Sequence, residues 1–193
     1  MKIWEAKAGI YDALRGLPLV KQIYQAELSN LRALWPGEQS ILQLDLGVGT
    51  GLTLLALPMA RFCVAADHSK KMLTLLPAHK NRLPIQLDVE KLLPFQSSAF
   101  DLVTAIGLTE YLKDIHLFFA EVFRVAKPGA HFIVTNTPPA MLARLRLFTG
   151  SPARLRAADE VRNALQRAGW LICDYKKSLI QEQWLCRKAA DHL

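Results

Sequence analysis

The sequence predicts an α/β fold organised on a mostly parallel sheet. Three observations carry that expectation. Short apolar runs recur along the chain and end in an acidic or glycine residue, and stretches with helical spacing lie between several of them. The third is the run ILQLDLGVGTGLTLLA, residues 41–56, in which one apolar run opens directly into three glycines at alternate positions, Gly47, Gly49 and Gly51. A strand that reads as a continuous apolar run is covered on both faces, as happens in a parallel sheet with crossover helices on either side.

Length and composition set the bounds. At 193 residues and 51% hydrophobic, the chain can bury one sizeable core and is short for two, so a single domain over 1–193 is expected. No apolar stretch approaches the roughly 20 residues of a membrane span, and MKIWEAKAGIYD lacks the apolar core of a signal peptide. The expectation is a soluble, cytoplasmic protein. Cys63, Cys173 and Cys186 form no C-x-x-C pair and the histidines no H-x-x-x-H pair, so no metal site is expected. A formal charge of +7 and a pI near 9.5 favour acidic partners such as nucleic acid, anionic lipid or an anionic small molecule, or serve solubility alone.

Taken in order, the chain first gives a helix. Val20, Ile23, Tyr24, Leu28, Leu31, Leu34 and Trp35 form one apolar stripe, stopped by Pro36-Gly37. Ile41, Leu42, Leu44 and Leu46 then read as a buried strand, and the glycines as a turn that tolerates positive φ and lets a ligand approach the backbone. Leu52, Leu54, Leu55 and Ala56 continue the apolar pattern to Pro58, so a helix is expected to aim its N-terminal N–H groups at the loop. A carboxylate, a phosphate or a ribose edge would suit such a loop, and so would a tight turn with no ligand. The dinucleotide fingerprint G-x-G-x-x-G needs a small residue where this chain has Leu52.

The pattern that is present, D-x-G-x-G-x-G from Asp45 to Gly51, resembles the first motif of the class I S-adenosylmethionine-dependent methyltransferases. The resemblance implies a Rossmann-like three-layer sandwich with a seven-stranded, mostly parallel sheet and an antiparallel last strand. It also implies that Gly47, Gly49 and Gly51 lie along the methionine part of the cofactor and that Asp45 faces its ammonium group. In this fold the segment before the first strand often covers the cofactor, which makes 1–36 a candidate helical lid and Tyr11 a candidate lid residue; a packed tyrosine is the plain alternative.

Phe62 to Ala66 reads as a second buried strand ending at Asp67, with Ser69 placed to cap a helix through Met72 and Leu76. An acid at that tip can accept from both hydroxyls of a ribose. The run DHSKKML resembles the D-x-S-x-x-M-L stretch of many small-molecule methyltransferases, which implies that Asp67 binds the ribose and that His68 stands beside the adenine, where an apolar residue is usual. Pro84 to Leu87 suggests a third strand ending at Asp88. The following DVEKLLPFQSSAFDLV resembles the D-x-E-x-L-P-F-x-x-x-x-F-D-x-V pattern of methyltransferases related to ubiquinone and menaquinone biosynthesis enzymes. By that likeness Asp88, assisted by Val89, takes the adenine amino group.

Phe100 to Ile106 is the fourth strand. Its end delivers Ile106, a further cofactor-facing candidate, and then Gly107 to Tyr111 beside the glycine loop, at the point where strand order reverses and ligands bind. Asp114 is placed to cap a helix with Ile115, Phe118, Phe119, Val122 and Phe123 on its apolar side. RVAKPGAHFIVTN resembles the R-V-L-K-P-G-G turn of the same family and leads through Pro128-Gly129 into a fifth strand. From Thr137 to Arg156, apolar residues interleave with Arg144 and Arg146, followed by Arg154 and Arg156, with no acid among them. A short basic amphipathic helix fits this, within a covering segment 137–158 that would cap the pocket, rest on an anionic membrane or hold an anionic substrate, or else present a solvated face. Asp159 to Ala168 reads as a last helix closed by Gly169, and strands near Trp170–Tyr175 and Gln183–Arg187 complete the sheet.

The expected chemistry is S-adenosylmethionine-dependent methyl transfer to a small-molecule acceptor, with a tilt toward a hydrophobic, quinone-like or lipid-like one. Candidate groups near the methyl are Glu110 and Tyr111, with His116 and Tyr11 behind them. A nucleic-acid methyltransferase is disfavoured, since Asn136-Thr137-Pro138-Pro139 follows the fifth strand and lacks an aromatic, and no cysteine lies near the end of the fourth. A non-catalytic binding protein of the same fold stays open, and Leu52 argues against a dehydrogenase.

Overall fold

The structure, a computed structural model, describes residues 18–37, 41–51, 54, 57, 60–139 and 153–190. Tyr11, Arg144 and Arg146, and with them residues 1–17 of the expected lid and 140–152 of the covering segment, lie outside the described residues.

Helix α1 (Pro18–Ala33) leads to β1 (Leu42–Leu46), β2 (Phe62–Asp67), α2 (Lys70–Leu75), β3 (Arg82–Gln86) and β4 (Phe100–Ala105). A 3-10 turn (Thr109–Tyr111) precedes α3 (Ile115–Val125), β5 (Ala126–Asn136), α4 (Ala158–Arg167), β6 (Leu171–Lys177) and β7 (Glu182–Arg187). The strands form one sheet of order β3-β2-β1-β4-β5-β7-β6, in which β7 runs antiparallel to both of its neighbours. The order reverses between β1 and β4, which pair in parallel. Crossovers on both sides of that point leave a crevice at the carboxyl ends of β1 and β4.

Alternation along the strands gives the sheet two apolar faces. Leu44, Leu46, Val103, Ala105, Phe132 and Val134 pack on one side with Phe118, Phe119 and Val122 of α3 and Val161, Ala164 and Leu165 of α4. Leu102 and Ile133 point the other way and meet Leu31 of α1. The result is a three-layer sandwich. The second half of α1 is thus part of the core, and Gln183 of β7 donates to its Glu27 carbonyl at 3.1 Å.

Capping follows the sequence. The Ser69 hydroxyl accepts from Met72 N at 3.3 Å, and Asp114 accepts from the N–H groups of His116 and Leu117. His116 is exposed in that first turn. The Pro128-Gly129 turn is absorbed into β5 as a bulge: Phe100 pairs with Ala126 and Leu102 already with His131, and Gly129 supplies the positive φ of 79°.

Two expectations are corrected. Leu54 and Leu57 lie in a turn and a bend, so the described part of 51–60 holds no helix aimed at the glycine loop. A proline at position 58 agrees with this, since proline has no N–H for a helical ladder and disfavours the helical region at the residue before it. Likewise 153–157 is not helical, and Arg156 is buried at 6% exposure rather than displayed on a basic face. Its guanidinium donates to the carbonyls of Thr109 and Leu112, both at 2.7 Å, contacts an extended segment makes more readily than a surface helix.

Candidate functional site

The loop after β1 is built on backbone. Gly47 N and Val48 N both donate to the Ala66 carbonyl, at 2.8 and 3.0 Å, and Gly51 N donates to Val48 O at 3.0 Å. Such a tight return needs positive φ, and Gly47, Gly49 and Gly51 hold 73°, 57° and 81°. A Cβ on Gly49 would meet nothing within 4 Å, whereas one on Gly47 would lie 3.0 Å from Leu108 Cδ1. The loop is therefore packed beneath Gly47 by the chain leaving β4 and open above Gly49.

Asp67, at the tip of β2, leans over that loop. Its Oδ2 accepts from Gly49 N at 2.9 Å and its Oδ1 from Ser69 N at 2.8 Å. The carboxylate is partly exposed and keeps lone pairs for further donors. Next to it in the site, Asp45 is only 3% exposed. It pairs in register with Thr104 of β4, whose hydroxyl donates to Oδ1 at 2.7 Å and accepts in turn from Gln43 Nε2 at 3.0 Å. Burial pushes the Asp45 carboxyl up to about 7, against the Thr104 hydrogen bond and with a contribution from the Asp67 charge. A carboxyl poised near neutrality beside an open loop is well placed to meet an ammonium group.

Asp88 is half-buried past the end of β3, where its Oδ1 accepts from Glu90 N at 3.1 Å and its carbonyl from Lys91 N. Val89 is half-buried against the core in the same turn. His68 is exposed, and Gln86 of β3 holds its carbonyl at 3.0 Å. Ile106 packs in the cluster that includes α1 residues. Asp67 and the glycine loop are joined by the Gly49 hydrogen bond and Asp45 lies within electrostatic reach of Asp67, while Asp88, Val89 and His68 follow the carboxyl ends of the neighbouring strands β3 and β2.

Beyond β4, Gly107 has φ of 66° with open space at its missing Cβ, and its N–H donates to the Thr135 hydroxyl at 2.8 Å. Glu110 follows with 0% exposure; Oε1 accepts from the Thr137 hydroxyl at 2.9 Å and Oε2 lies 3.3 Å from that of Thr109. Tyr111 is half-buried. Arg154 N donates to the Glu110 carbonyl at 2.6 Å, and Asn136 Nδ2 to the carbonyl of Arg156 at 2.9 Å. Thr104 and Thr135 were not anticipated from the sequence, and Arg156 was expected only as part of a basic covering segment. A threonine inside the apolar run LVTAI was a usable signal for the first; nothing local marked the second.

S-adenosylmethionine fits this donor set. The open positions at Gly49 and Gly107 let a ligand backbone approach on both sides of the switch point, and Asp45 and Asp67 offer acceptors for an ammonium and for hydroxyls. Among the described residues, no cluster of His, Cys, Asp and Glu could hold a metal ion, and no helix is long and apolar enough to cross a membrane.

Comparison with known proteins points the same way. A methyltransferase-domain family model matches residues 44–134. The chain is 32% identical over 126 residues to sterol methyltransferase-like 1 of Botryococcus braunii, which covers 58% of this chain and 30% of that protein. It is 26% identical to the ubiquinone/menaquinone biosynthesis C-methyltransferase UbiE of Desulfotalea psychrophila over 93% of this chain and 85% of that one. This chain thus spans less than a third of the first relative and most of the second. Among solved structures, the complex between the Haloferax volcanii Trm112 methyltransferase activator and its methyltransferase contains a chain of the same fold, with a TM-score of 0.84, 16% identity, and coverage of 100% of this chain and 98% of that one.

Proposed function

We infer that this chain, whose residues 44–134 form a methyltransferase domain of the S-adenosylmethionine-dependent class, transfers a methyl group to a small-molecule acceptor. The observation that carries the reading is the Asp67 carboxylate held over Gly49 at 2.9 Å, with open space above that glycine. When bound, S-adenosylmethionine supplies a methyl carbon made electrophilic by its sulfonium. The chain's own groups then have three tasks.

Asp67 would accept from the ribose hydroxyls, Asp88 with the Val89 backbone and His68 would take the adenine edge, Asp45 would take the ammonium, and Gly47, Gly49 and Gly51 would line the methionine part. Gly107 and Ile106 leave room for the reacting end at the carboxyl end of β4. Positioning can supply much of the rate in an in-line displacement, so a dedicated base is not required. Glu110 and Tyr111 are the candidate groups on the acceptor side, Glu110 through its hold on Thr137 and Thr109.

The homology to enzymes named for sterol and quinone substrates supports a hydrophobic, quinone-like or lipid-like acceptor. The charge of +7 supports peripheral contact with an anionic membrane, with Arg144 and Arg146 in the covering segment and Tyr11 in the lid 1–36. A cytoplasmic location and a single domain over 1–193 go with this reading, and a nucleic-acid substrate does not.

Thermal unfolding with S-adenosylhomocysteine and, separately, with NAD tests the reading. At about 100 times its dissociation constant a ligand adds roughly 2.7 kcal/mol, or about 5 to 10 °C for a chain of this size. A shift with S-adenosylhomocysteine alone, absent in Asp67→Ala, is expected. No shift at saturating ligand would end the cofactor reading.

A further inference from the structure

We propose that Arg156 is a positioning residue for the cofactor loop, acting across the sheet through the turn that follows β4. The proposal rests on the cofactor reading above, and it concerns a residue far from the glycines in sequence and absent from the cofactor's expected contacts.

Arg156 sits at the end of the extended segment that enters α4, and its side chain is buried. Nη1 donates to the Thr109 carbonyl and Nη2 to the Leu112 carbonyl, each at 2.7 Å, so one planar group bridges both ends of the 3-10 turn. Nε is 3.2 Å from Glu160 Oε1, an (i, i+4) pair that fixes the plane of the guanidinium. The same segment is held by Asn136 Nδ2 on the Arg156 carbonyl. A buried cation satisfied by two carbonyls and one carboxylate has no low-cost alternative position, since any shift strands a charge.

What the turn carries is Leu108. Its neighbours are pinned on both sides: Gly107 N to the Thr135 hydroxyl at 2.8 Å, and the Thr109 hydroxyl to the Thr135 carbonyl at 2.8 Å. The Leu108 side chain in turn lies against Gly47, close enough that a Cβ there would be 3.0 Å from Cδ1. Arg156 therefore sets the height of Leu108, and Leu108 is the floor on which the first glycine of the loop rests. In close-packed surroundings a displacement of that floor is passed on to the loop rather than absorbed.

The test compares S-adenosylhomocysteine affinity by calorimetry in wild type, Arg156→Met and Arg156→Lys, well below each unfolding midpoint. Arg156→Met is expected to weaken binding about fivefold or more, the size usual for a residue coupled to a site it does not touch. Arg156→Lys, which keeps the charge but reaches only one carbonyl, is expected to fall between the two. Should Arg156→Met not fold, the lysine variant decides. A purely structural residue would lower the midpoint without ligand and leave the dissociation constant within twofold of wild type in every folded variant, and that result overturns the proposal. Failure of wild type itself to bind would instead count against the cofactor reading.

Discussion

The carboxylate of Asp67 accepts a hydrogen bond from the backbone N–H of Gly49 at 2.9 Å, which ties the tip of β2 to the middle of the glycine loop. Through this one contact the loop's free side is turned toward the carboxyl ends of the strands. It also means that the glycine and the acid act as a unit.

Gly49 and Gly169 separate ligand space from folding space. Both have positive φ, 57° and 95°, so alanine at either is strained by about 1–2 kcal/mol. At Gly169 the new Cβ would also meet the Phe123 ring at 2.9 Å, a rigid neighbour, while at Gly49 it enters open space. Gly169→Ala is expected to lower the unfolding midpoint by several degrees more than Gly49→Ala and to leave S-adenosylhomocysteine binding intact. Gly49→Ala is expected to weaken that binding at least about tenfold by filling the approach. Equal binding by Gly49→Ala and wild type would show that no ligand uses the loop.

Asp45 gives a pH signature. Its carboxyl titrates near 7 in the folded chain and well below that when unfolded, so its favourable contribution is present at low pH and is lost as pH rises through 7. Thermal scans of the unliganded protein from pH 5 to 8 should fall more steeply for wild type than for Asp45→Asn. Ligand binding should run the other way, because only the ionised form attracts an ammonium. Affinity for S-adenosylhomocysteine should rise by up to about tenfold from pH 6 to 8 and stay flat in Asp45→Asn. A flat wild-type profile would remove Asp45 from the ammonium site.

Glu110→Gln is expected to lower stability by about 1–2 kcal/mol, since the Thr137 hydroxyl donates to this fully buried carboxyl group while the Thr109 hydroxyl beside it gives its hydrogen to the Thr135 carbonyl. Once an acceptor is known, turnover by the same variant separates anchoring from proton transfer. A loss of kcat by orders of magnitude at unchanged midpoint would make Glu110 a base, and a lower midpoint with near-normal kcat would make it an anchor.

Glu121 and Arg124 hold the long connection between β3 and β4. Glu121 accepts from Leu93 N at 2.7 Å and from Arg124 Nη2 at 2.6 Å, and Arg124 reaches the carbonyls of Leu93 and Phe95. The Arg124 hydrogen bond holds the Glu121 carboxyl below its ordinary range, against partial burial. Its contribution is therefore present at neutral pH and is lost as pH falls through the lowered value. Glu121→Gln should cost about 1–2 kcal/mol at pH 7 and show a shallower loss of stability on acidification than wild type. Parallel acid profiles for the two would refute this role.

Much of the fold was legible because local rules and packing agree. Short apolar strands, the caps Ser69 and Asp114, and closure at Gly169 were readable from residue type and spacing, and strand bounds moved by only a few residues. Where the reading failed, a local pattern met a constraint it does not encode. The apolar stretch after Gly51 has helical composition, but its described residues lie in a turn and a bend before Pro58.

The sequence by itself determined the chemistry that can be offered: which positions lack a side chain and where acids end strands. Only the tertiary structure decided what each charge is used for. Arg156 looked like part of a basic surface because its partners are backbone carbonyls more than 40 residues away, and carbonyls carry no mark in a sequence. Asp45 owes its near-neutral titration to burial beside Thr104, 59 residues distant, a consequence of β1 lying next to β4. Strand order sets which charges lose water, and desolvation then sets their strength.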